Sequence, residues 1–543
     1  MAPELKTHLT ALVKTVARTP SLPAVKNPKW SSQGVFEGWE TITYAQHLEN
    51  IERAARYWSN EFSNHGLKER DTVAICISGQ ANRKNRIKGL SYIDFLHIWG
   101  ITRAGYVPVA ISLHLTSISL VSDLVQKAGA KAIIYENSVF PNLDMDAICL
   151  PAVDILSVQV DDLPLPELWI PTQDDDIIFN YHSTGSTSGI PKLVLVTARW
   201  LDFGLEKLDS GLKDDPNSEK QQVLAINGSF CHLSGTLCAM GSQRLGHCIV
   251  ISQAIPPTQE EITTLVNEHG LTRLFMFASF VTGMVRKSRT DPATLSLLQS
   301  LSIVFSGGAP LDPREEAWAR EQRVNLIDVY ASTEAGIMLS TAQGDDANPA
   351  YLRPYPGTKY RFVIEDDPAQ DDSPGERLLE LIIPPESRDC PHVSLRNPTT
   401  GDFHTGDLFV EPAPGHYVYK GRNDDWIKMM LPGRCDTKSI EDNVMGLCGA
   451  DLVSVVVCVG TGRPSPVLLV EPLTDATSDA SLNEEILRRI TPFHERRYDY
   501  ERIENAKHIL VVPKGTLPRT AKGGFQRQAV ERTFRVALDK LFA

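Results

Sequence analysis

Apolar residues recur at helical spacing over residues 43–66. Leu48, Ile51, Ala55, Trp58 and Phe62 share one face there, and Gly66 stands where a helix commonly stops. A strand-like run, DTVAICIS, begins at Asp71. The rhythm continues with a helix ending near Ala104 and a strand YVPVAI from Tyr106. The runs AIIYE, IIFNY, CIVIS, RLFMF, SIVFS and NLIDVY then carry it to Tyr330. Short, wholly apolar runs suit strands buried on both faces, and strands separated by helices imply parallel pairing through crossovers. Asp312 before Pro313, with Glu315 three positions after that Asp, marks a helix start. Polar loops bearing Pro or Gly are expected at 209–220 and 365–376.

After Asp407 the pattern changes to short alternating strands, LFVEP and HYVYKGR. From Asp424 onward a small α+β unit is expected. It comprises a helix near 439–447, strands LVSVVVCV and SPVLLVEP, a helix near 482–490, a strand HILVVP and a last helix from Phe525. The fold class is therefore α/β: a large N-terminal domain, residues 1–423, of mixed, mostly parallel sheets with helices, then a small α+β domain, residues 424–543.

The chain has 543 residues, 42% hydrophobic and 22% charged, which suits a folded protein with more than one core. Its net charge of -13 argues against nucleic acid as the main partner. An acidic protein that binds an anionic nucleotide must do so through local loops and a metal ion. The basic stretch QANRKNRIK at 80–88 reads as a solvated loop. No apolar run is long enough to span a bilayer, so no membrane partner is expected. The N-terminus lacks the apolar core of a secretory signal, and the final Leu-Phe-Ala is not a peroxisomal address. Nine cysteines without a CxxC pair suit reduced thiols, and hence a cytoplasmic location.

Six motifs carry chemistry. YHSTGSTSGIPK, at 181–192, follows an apolar strand. Gly185 and Gly189 allow a sharp turn, successive N–H groups and hydroxyls form an anion-binding concavity, and Lys192 adds a mobile positive charge. A Ser/Gly-rich solvent loop has the same composition, so this motif gains weight only with the others. FSGGAPL, at 305–311, has Gly307 and Gly308 where a flat ring could lie against backbone. VYASTEAG, at 329–336, offers the Thr333 hydroxyl and, in Glu334, a hard oxygen ligand for Mg²⁺. HTGDLF contains Asp407, able to accept two ribose hydroxyls, and GRNDDWIK places Arg422, Asp424 and Lys428 together. LPRTAKGGFQR sets Lys522 in a small-residue loop before the final helix.

In this order the motifs resemble the acyl-adenylate-forming superfamily, over nearly the whole chain. The resemblance implies ATP, Mg²⁺ and a carboxylic acid substrate. By that analogy Ser183, Thr184, Gly185, Ser186, Thr187 and Lys192 bind the ATP phosphates. Gly307, Gly308 and Ala309 border the adenine with Tyr330 close by, Thr333 reaches the phosphate and Glu334 holds Mg²⁺. Asp407 and Arg422 hold the ribose, Asp424 is the hinge of a mobile small domain, and Lys522 is the catalytic lysine. His232, in SFCHLSG, matches the histidine that acyl and aryl branches place beside the substrate carboxylate.

Amino-acid-activating members carry an Asp in the stretch aligned with SFCHLSG. Phe230, Cys231 and His232 stand here instead, which favours an aryl or aliphatic acid without an α-amine. Asn227, Phe277, Ala278 and Phe280 are expected in the acid pocket wall. No carrier serine motif follows Lys522, so the thiol acceptor is expected to be separate: the phosphopantetheine of a carrier protein or domain, or coenzyme A. LPRTAKG and GGFQRQAVERTF resemble adenylation domains of fungal synthetase-like carboxylic acid reductases. Three departures from the family pattern stand out: Ser188 is inserted before Gly189, Ala331 replaces a Gly, and Leu193 replaces the Gly after Lys192. They leave room for a different class, a nucleotide-binding protein without catalysis.

Overall fold

A computed structural model describes residues 5–31, 33–77, 91–112, 115, 117–183, 192–212, 220–341, 350–364, 377–430, 434–474, 480–495, 497, 501–519 and 525–542. The basic stretch 80–88 and the expected loop 365–376 lie outside them. The chain divides into two compact units. One comprises residues 1–183, 191–359 and 383–403; the other comprises 184–190, 360–382 and 404–543.

The first unit holds two sheets. The larger has nine strands in the order Arg353–Pro354, Gly336–Ser340, Leu326–Ser332, Ile303–Gly307, Arg273–Phe277, Val223–Ile226, Cys248–Ile251, Pro23–Trp30, Phe36–Thr43. Its centre is parallel and its two ends are antiparallel. The six-stranded sheet runs Ile148–Pro151, Ala132–Tyr135, Thr72–Cys76, Val107–Ala110, Ile177–Ser183, Lys192–Thr197, and only its last pair is antiparallel. Side chains alternate across each strand, so successive residues enter different cores. Ile75 and Ile134 join the central core with Ile226 and Ile249, while Cys76 and Ile133 pack outward under helix Ile118–Lys127. Val223, Leu274 and Val304 pack outward under helices Gln259–His269, Ala278–Ser288 and Pro292–Ser300. Helices Tyr44–Asn64, Tyr92–Arg103 and Leu233–Leu245 contribute to the core shared by both sheets.

Helix Tyr44–Asn64 fulfils the periodicity. Thr43 caps it reciprocally with Gln46, and Ile51, Ala55, Trp58 and Phe62 are buried. The helix expected to start at Asp312 and Pro313 is present: Asp312 caps helix Pro313–Glu321 through the N–H of Arg314, and Glu315 pairs with Arg286 and Arg289. Two local readings change. Helix Ala198–Gly211 runs into the expected loop at 209–220, because Asp209 accepts two hydrogen bonds from Arg244 at 2.6 and 2.5 Å. The last helix is two, Arg527–Thr533 and Arg535–Leu541, broken at Phe534.

The second unit contains a four-stranded antiparallel sheet: Arg361–Ile364, Leu379–Ile383, Phe403–Ala413, His416–Arg422. It also holds the sheet Val453–Val459, Val467–Pro472, Ile509–Val511, with helices Thr437–Cys448 and Ala480–His494 over one face and the two terminal helices over the other. Among the described residues no helix is long and apolar enough to cross a membrane.

Candidate active site

Strand Val223–Ile226 lies between Cys248–Ile251 and Arg273–Phe277, all parallel. The chain leaves it through helix Leu233–Leu245 on the central-core face and returns to Arg273–Phe277 through helix Gln259–His269 on the outer face. Connections diverging from neighbouring strands open a crevice at the carboxyl edge, where α/β sheets bind ligands. Parallel strands share that edge, so Asn227, Phe277, Ala278, Gly307, Gly308, Thr333 and Glu334 gather along it simply by following their strands.

Asn227 is fully buried. Its Nδ2 donates to the Phe275 carbonyl at 2.8 Å and its Oδ1 accepts from Ser252 at 2.6 Å. Its carboxamide thus ties three adjacent strands together at the crevice. Ala278 is buried at the start of its helix, and Phe280 lies with its ring 6.2 Å from that of Phe277.

Two glycines sit tightly here. Gly308 has φ +82°, and a Cβ on it would stand 3.0 Å from the Phe277 ring. A Cβ on Gly307 would meet the Val329 carbonyl at 3.3 Å. Ala309 follows, exposed. Next along the edge, Tyr330 is half-buried in its strand. Thr333 and Glu334 occupy the turn between Leu326–Ser332 and Gly336–Ser340, also half-buried. The N–H of Ala335 donates to Ser332 Oγ at 3.1 Å, and Gly336 adopts φ +69° over the Trp200 indole. Glu334 supplies one hard oxygen donor. Among the described residues no group of three or more His, Cys, Asp or Glu is disposed to hold a metal. A single carboxylate fits magnesium, whose other ligands are commonly phosphate oxygens and water.

Ser183 ends its strand opposite Lys192, which is exposed. Thr184, Gly185, Ser186, Thr187 and Ser188 lie outside the described residues. His232 is the half-buried residue preceding helix Leu233–Leu245, and its ring lies 6.4 Å from that of His182. His182 is buried, and its Nε2 accepts from the N–H of Ser112 at 3.1 Å, so that nitrogen is unprotonated. Tyr181 and Thr236 share a hydroxyl hydrogen bond of 2.7 Å, joining the strand before the hydroxyl-rich loop to the helix after His232. His182 was not singled out from sequence, although it stands inside the loop motif.

In the second unit Asp407 is buried and paired across the strands with Arg422. Tyr419 Oη donates to Asp407 Oδ1 at 3.1 Å, and Arg422 Nη1 stands 3.7 Å from the same oxygen. Burial first, then the charge of Asp407, pushes the Tyr419 phenol well above its ordinary range. Thr405 donates to the Leu381 carbonyl at 2.7 Å and accepts from the N–H of Asp407 at 3.1 Å. Tyr419 escaped the sequence reading because only strand register places it by Asp407.

Asp424 lies in the 3₁₀ turn Asn423–Asp425. Its neighbour Asp425 accepts from the N–H of Arg422 at 3.2 Å and pairs with Arg527 at 3.4 Å. The side chains of Asp424 and Lys428, and all of Lys522, lie outside the described residues.

The model of the AMP-binding enzyme family matches residues 12–380, and that of the AMP-binding enzyme C-terminal domain matches 424–543. The AMP-binding domain-containing enzyme iboA of Amanita muscaria (strain Koide BX008) is 32% identical over 496 residues, 89% of this chain and 92% of that protein. The adenylate-forming reductase Nps11 of Serpula lacrymans var. lacrymans is 23% identical over 82% of this chain, which spans only 43% of the reductase. Among solved structures, the O-succinylbenzoate coenzyme A synthetase of Bacillus subtilis in complex with AMP superposes with a TM-score of 0.72 at 16% identity, covering 96% of this chain and 98% of that one. The crevice at a parallel carboxyl edge, the two family matches and the full-length relative agree: this chain belongs to the AMP-binding enzyme family, the acyl-adenylate-forming superfamily.

Proposed function

We propose that the protein activates an aryl or aliphatic carboxylic acid lacking an α-amine, forming an acyl-adenylate from ATP and passing the acyl group to a phosphopantetheine thiol. A carboxylate oxygen attacks the α-phosphorus, the bond from that phosphorus to the bridging oxygen of pyrophosphate breaks, and pyrophosphate leaves. The thiolate then attacks the acyl carbonyl, AMP departs, and the thiol proton goes to solvent. The observation that carries this reading is the gathering of Gly307, Gly308, Thr333 and Glu334 along one parallel edge with the acid-pocket candidates.

In this reading Ser183, Thr184, Gly185, Ser186, Thr187, Lys192 and Thr333 donate to phosphate oxygens. Gly307, Gly308, Ala309 and Tyr330 border the adenine, and Asp407 with Arg422 holds the ribose. Glu334 would hold magnesium, which when bound offsets the charge of the pyrophosphate. His232 orients the acid against Phe280 and Ala278, with Asn227 fixing the strands behind them. Lys522 brings a compact positive charge to the α-phosphate, where charge builds up in the transition state. Asp424 is the hinge about which the small domain, residues 424–543, withdraws Lys522 before thiol transfer. The chain's similarity to part of a much longer adenylate-forming reductase supports a carrier domain as acceptor.

The test is direct detection of acyl-AMP by mass spectrometry after incubation with ATP, Mg²⁺ and a panel of aryl, aliphatic and amino acids. The expected result is acyl-AMP from at least one acid lacking an α-amine, and none from Lys522→Ala at an unchanged melting temperature. ATP binding without acyl-AMP from any acid would instead identify a non-catalytic nucleotide-binding protein. Acyl-CoA released on adding coenzyme A would replace the carrier with coenzyme A as acceptor.

A further inference from the structure

The most enclosed ion pair among the described residues of the first unit includes none of the residues given a role in the proposed reaction. Lys207 and Asp389 are 2.8 Å apart, and each side chain is 1% exposed. The pair joins helix Ala198–Gly211 to a segment 182 residues later in the chain. Lys207 Nζ also donates to the Ile337 carbonyl at 2.5 Å, and Asp389 accepts from Ser387 Oγ at 2.6 Å. Ser387 Oγ in turn accepts from the N–H of Lys359 at 3.2 Å. Both charges therefore have further hydrogen-bonding groups, as buried charges must.

The position of Ile337 gives this pair its significance. The outer neighbour of strand Gly336–Ser340 pairs only with Leu339 and Ser340, so its ladder stops short of Ile337. The ammonium of Lys207 holds the strand where that ladder ends. One residue earlier, Gly336 lies against Trp200 from the same helix, so closely that a Cβ would stand 2.9 Å from the indole. Trp200 and Lys207 are seven residues apart on one helix, which places them on the same face two turns apart. Trp200 thus lies against Gly336 while Lys207 holds the carbonyl of Ile337, so one helix face touches two consecutive residues of the strand, and Glu334 is two residues before the first of them.

We propose that the Lys207–Asp389 pair is a positioning element for the Thr333–Glu334 turn, fixing the Glu334 carboxylate by fixing the Ile337 carbonyl. Its relevance to nucleotide binding rests on the reading of Glu334 given above. A pair that merely held the fold together could be replaced by apolar side chains of similar volume without local consequence. A positioning pair could not, because Met and Leu donate nothing to the Ile337 carbonyl.

The experiment compares wild type with Lys207→Met/Asp389→Leu by amide hydrogen exchange over residues 333–337 and by calorimetric titration with ATP, with and without Mg²⁺. In the folded double variant those amides should exchange at least about tenfold faster, and the Mg²⁺-dependent gain in ATP affinity should fall about tenfold with metal-free affinity unchanged. Wild-type exchange at 333–337, or an undiminished Mg²⁺ gain in the folded variant, overturns the proposal. If the double variant does not fold, Lys207→Met/Asp389→Asn, which also removes the donor to the Ile337 carbonyl but keeps a polar partner for Ser387, is read by the same two criteria. Wild-type protein whose ATP affinity ignores Mg²⁺ would remove Glu334 from the reading above, while exchange at 333–337 would still decide whether the pair holds the turn.

Discussion

At the parallel edge, Gly307 and Gly308 are hemmed in by a carbonyl and a phenylalanine ring, so that an added Cβ would press against them at 3.3 and 3.0 Å. At the Asp407 hairpin the reverse holds: one carboxylate is surrounded by side chains, Tyr419 at 3.1 Å and Arg422 at 3.7 Å. The first region is set by strand register, which a long parallel sheet holds stiffly. The second is set by two long side chains reaching across an antiparallel ladder. The first should therefore fail when an atom is added, and the second when a hydrogen bond is removed.

The largest effect is expected from Gly308→Val. A β-branched residue at φ +82°, 3.0 Å from Phe277, adds backbone strain to a clash. ATP affinity by calorimetry should fall about a hundredfold. An unchanged value would mean the nucleotide sits elsewhere. Tyr419→Phe is smaller. It removes one hydrogen bond to a charged acceptor, worth at least about 1.5 kcal/mol, so ATP should bind at least about tenfold more weakly with little change in turnover. A loss confined to turnover would separate Tyr419 from ribose binding.

The smallest effect is on stability and concerns the parallel edge alone. Asp328 lies two residues before Tyr330, and burial, with the charge of Glu316 adding, pushes its carboxyl up to about 7. Burial likewise pushes Glu261 up to about 7, against the opposing amides of Gln253 and Thr258. A raised carboxyl binds its proton more tightly in the folded state. Its stabilisation is thus full at low pH and is lost as pH rises toward about 7. The melting temperature should be higher at pH 5 than at pH 8 by about 2–4 °C, and Asp328→Asn should shrink that gap. A gap untouched by Asp328→Asn would assign the pH dependence to other groups.

Much of the parallel edge was legible in the sequence because local features build it: apolar runs, a glycine pair and a Thr-Glu turn, each directly after its strand. Helix Tyr44–Asn64 was legible for the same reason, from the periodicity of its apolar face and the glycine after it. The hairpin Pro23–Trp30/Phe36–Thr43 was not. Prolines at 23 and 28 hide it, and the sheet accepts them because only Val25 and Lys26 pair on both sides. His182 and Lys207 were missed because their partners are remote in the chain, and Tyr419 because only strand register brings it to Asp407. Lys207 reads as an ordinary polar residue of an amphipathic helix until Asp389, 182 positions away, is brought beside it. Asp209 was misread for a similar reason, since Arg244 draws it into the helix.

The account is tested most directly by exchange of labelled pyrophosphate into ATP, catalysed by the unmodified chain with and without added acid. It predicts Mg²⁺-dependent exchange with at least one aryl or aliphatic acid and none when acid is omitted. Bound ATP with no exchange for any acid in the panel would contradict it.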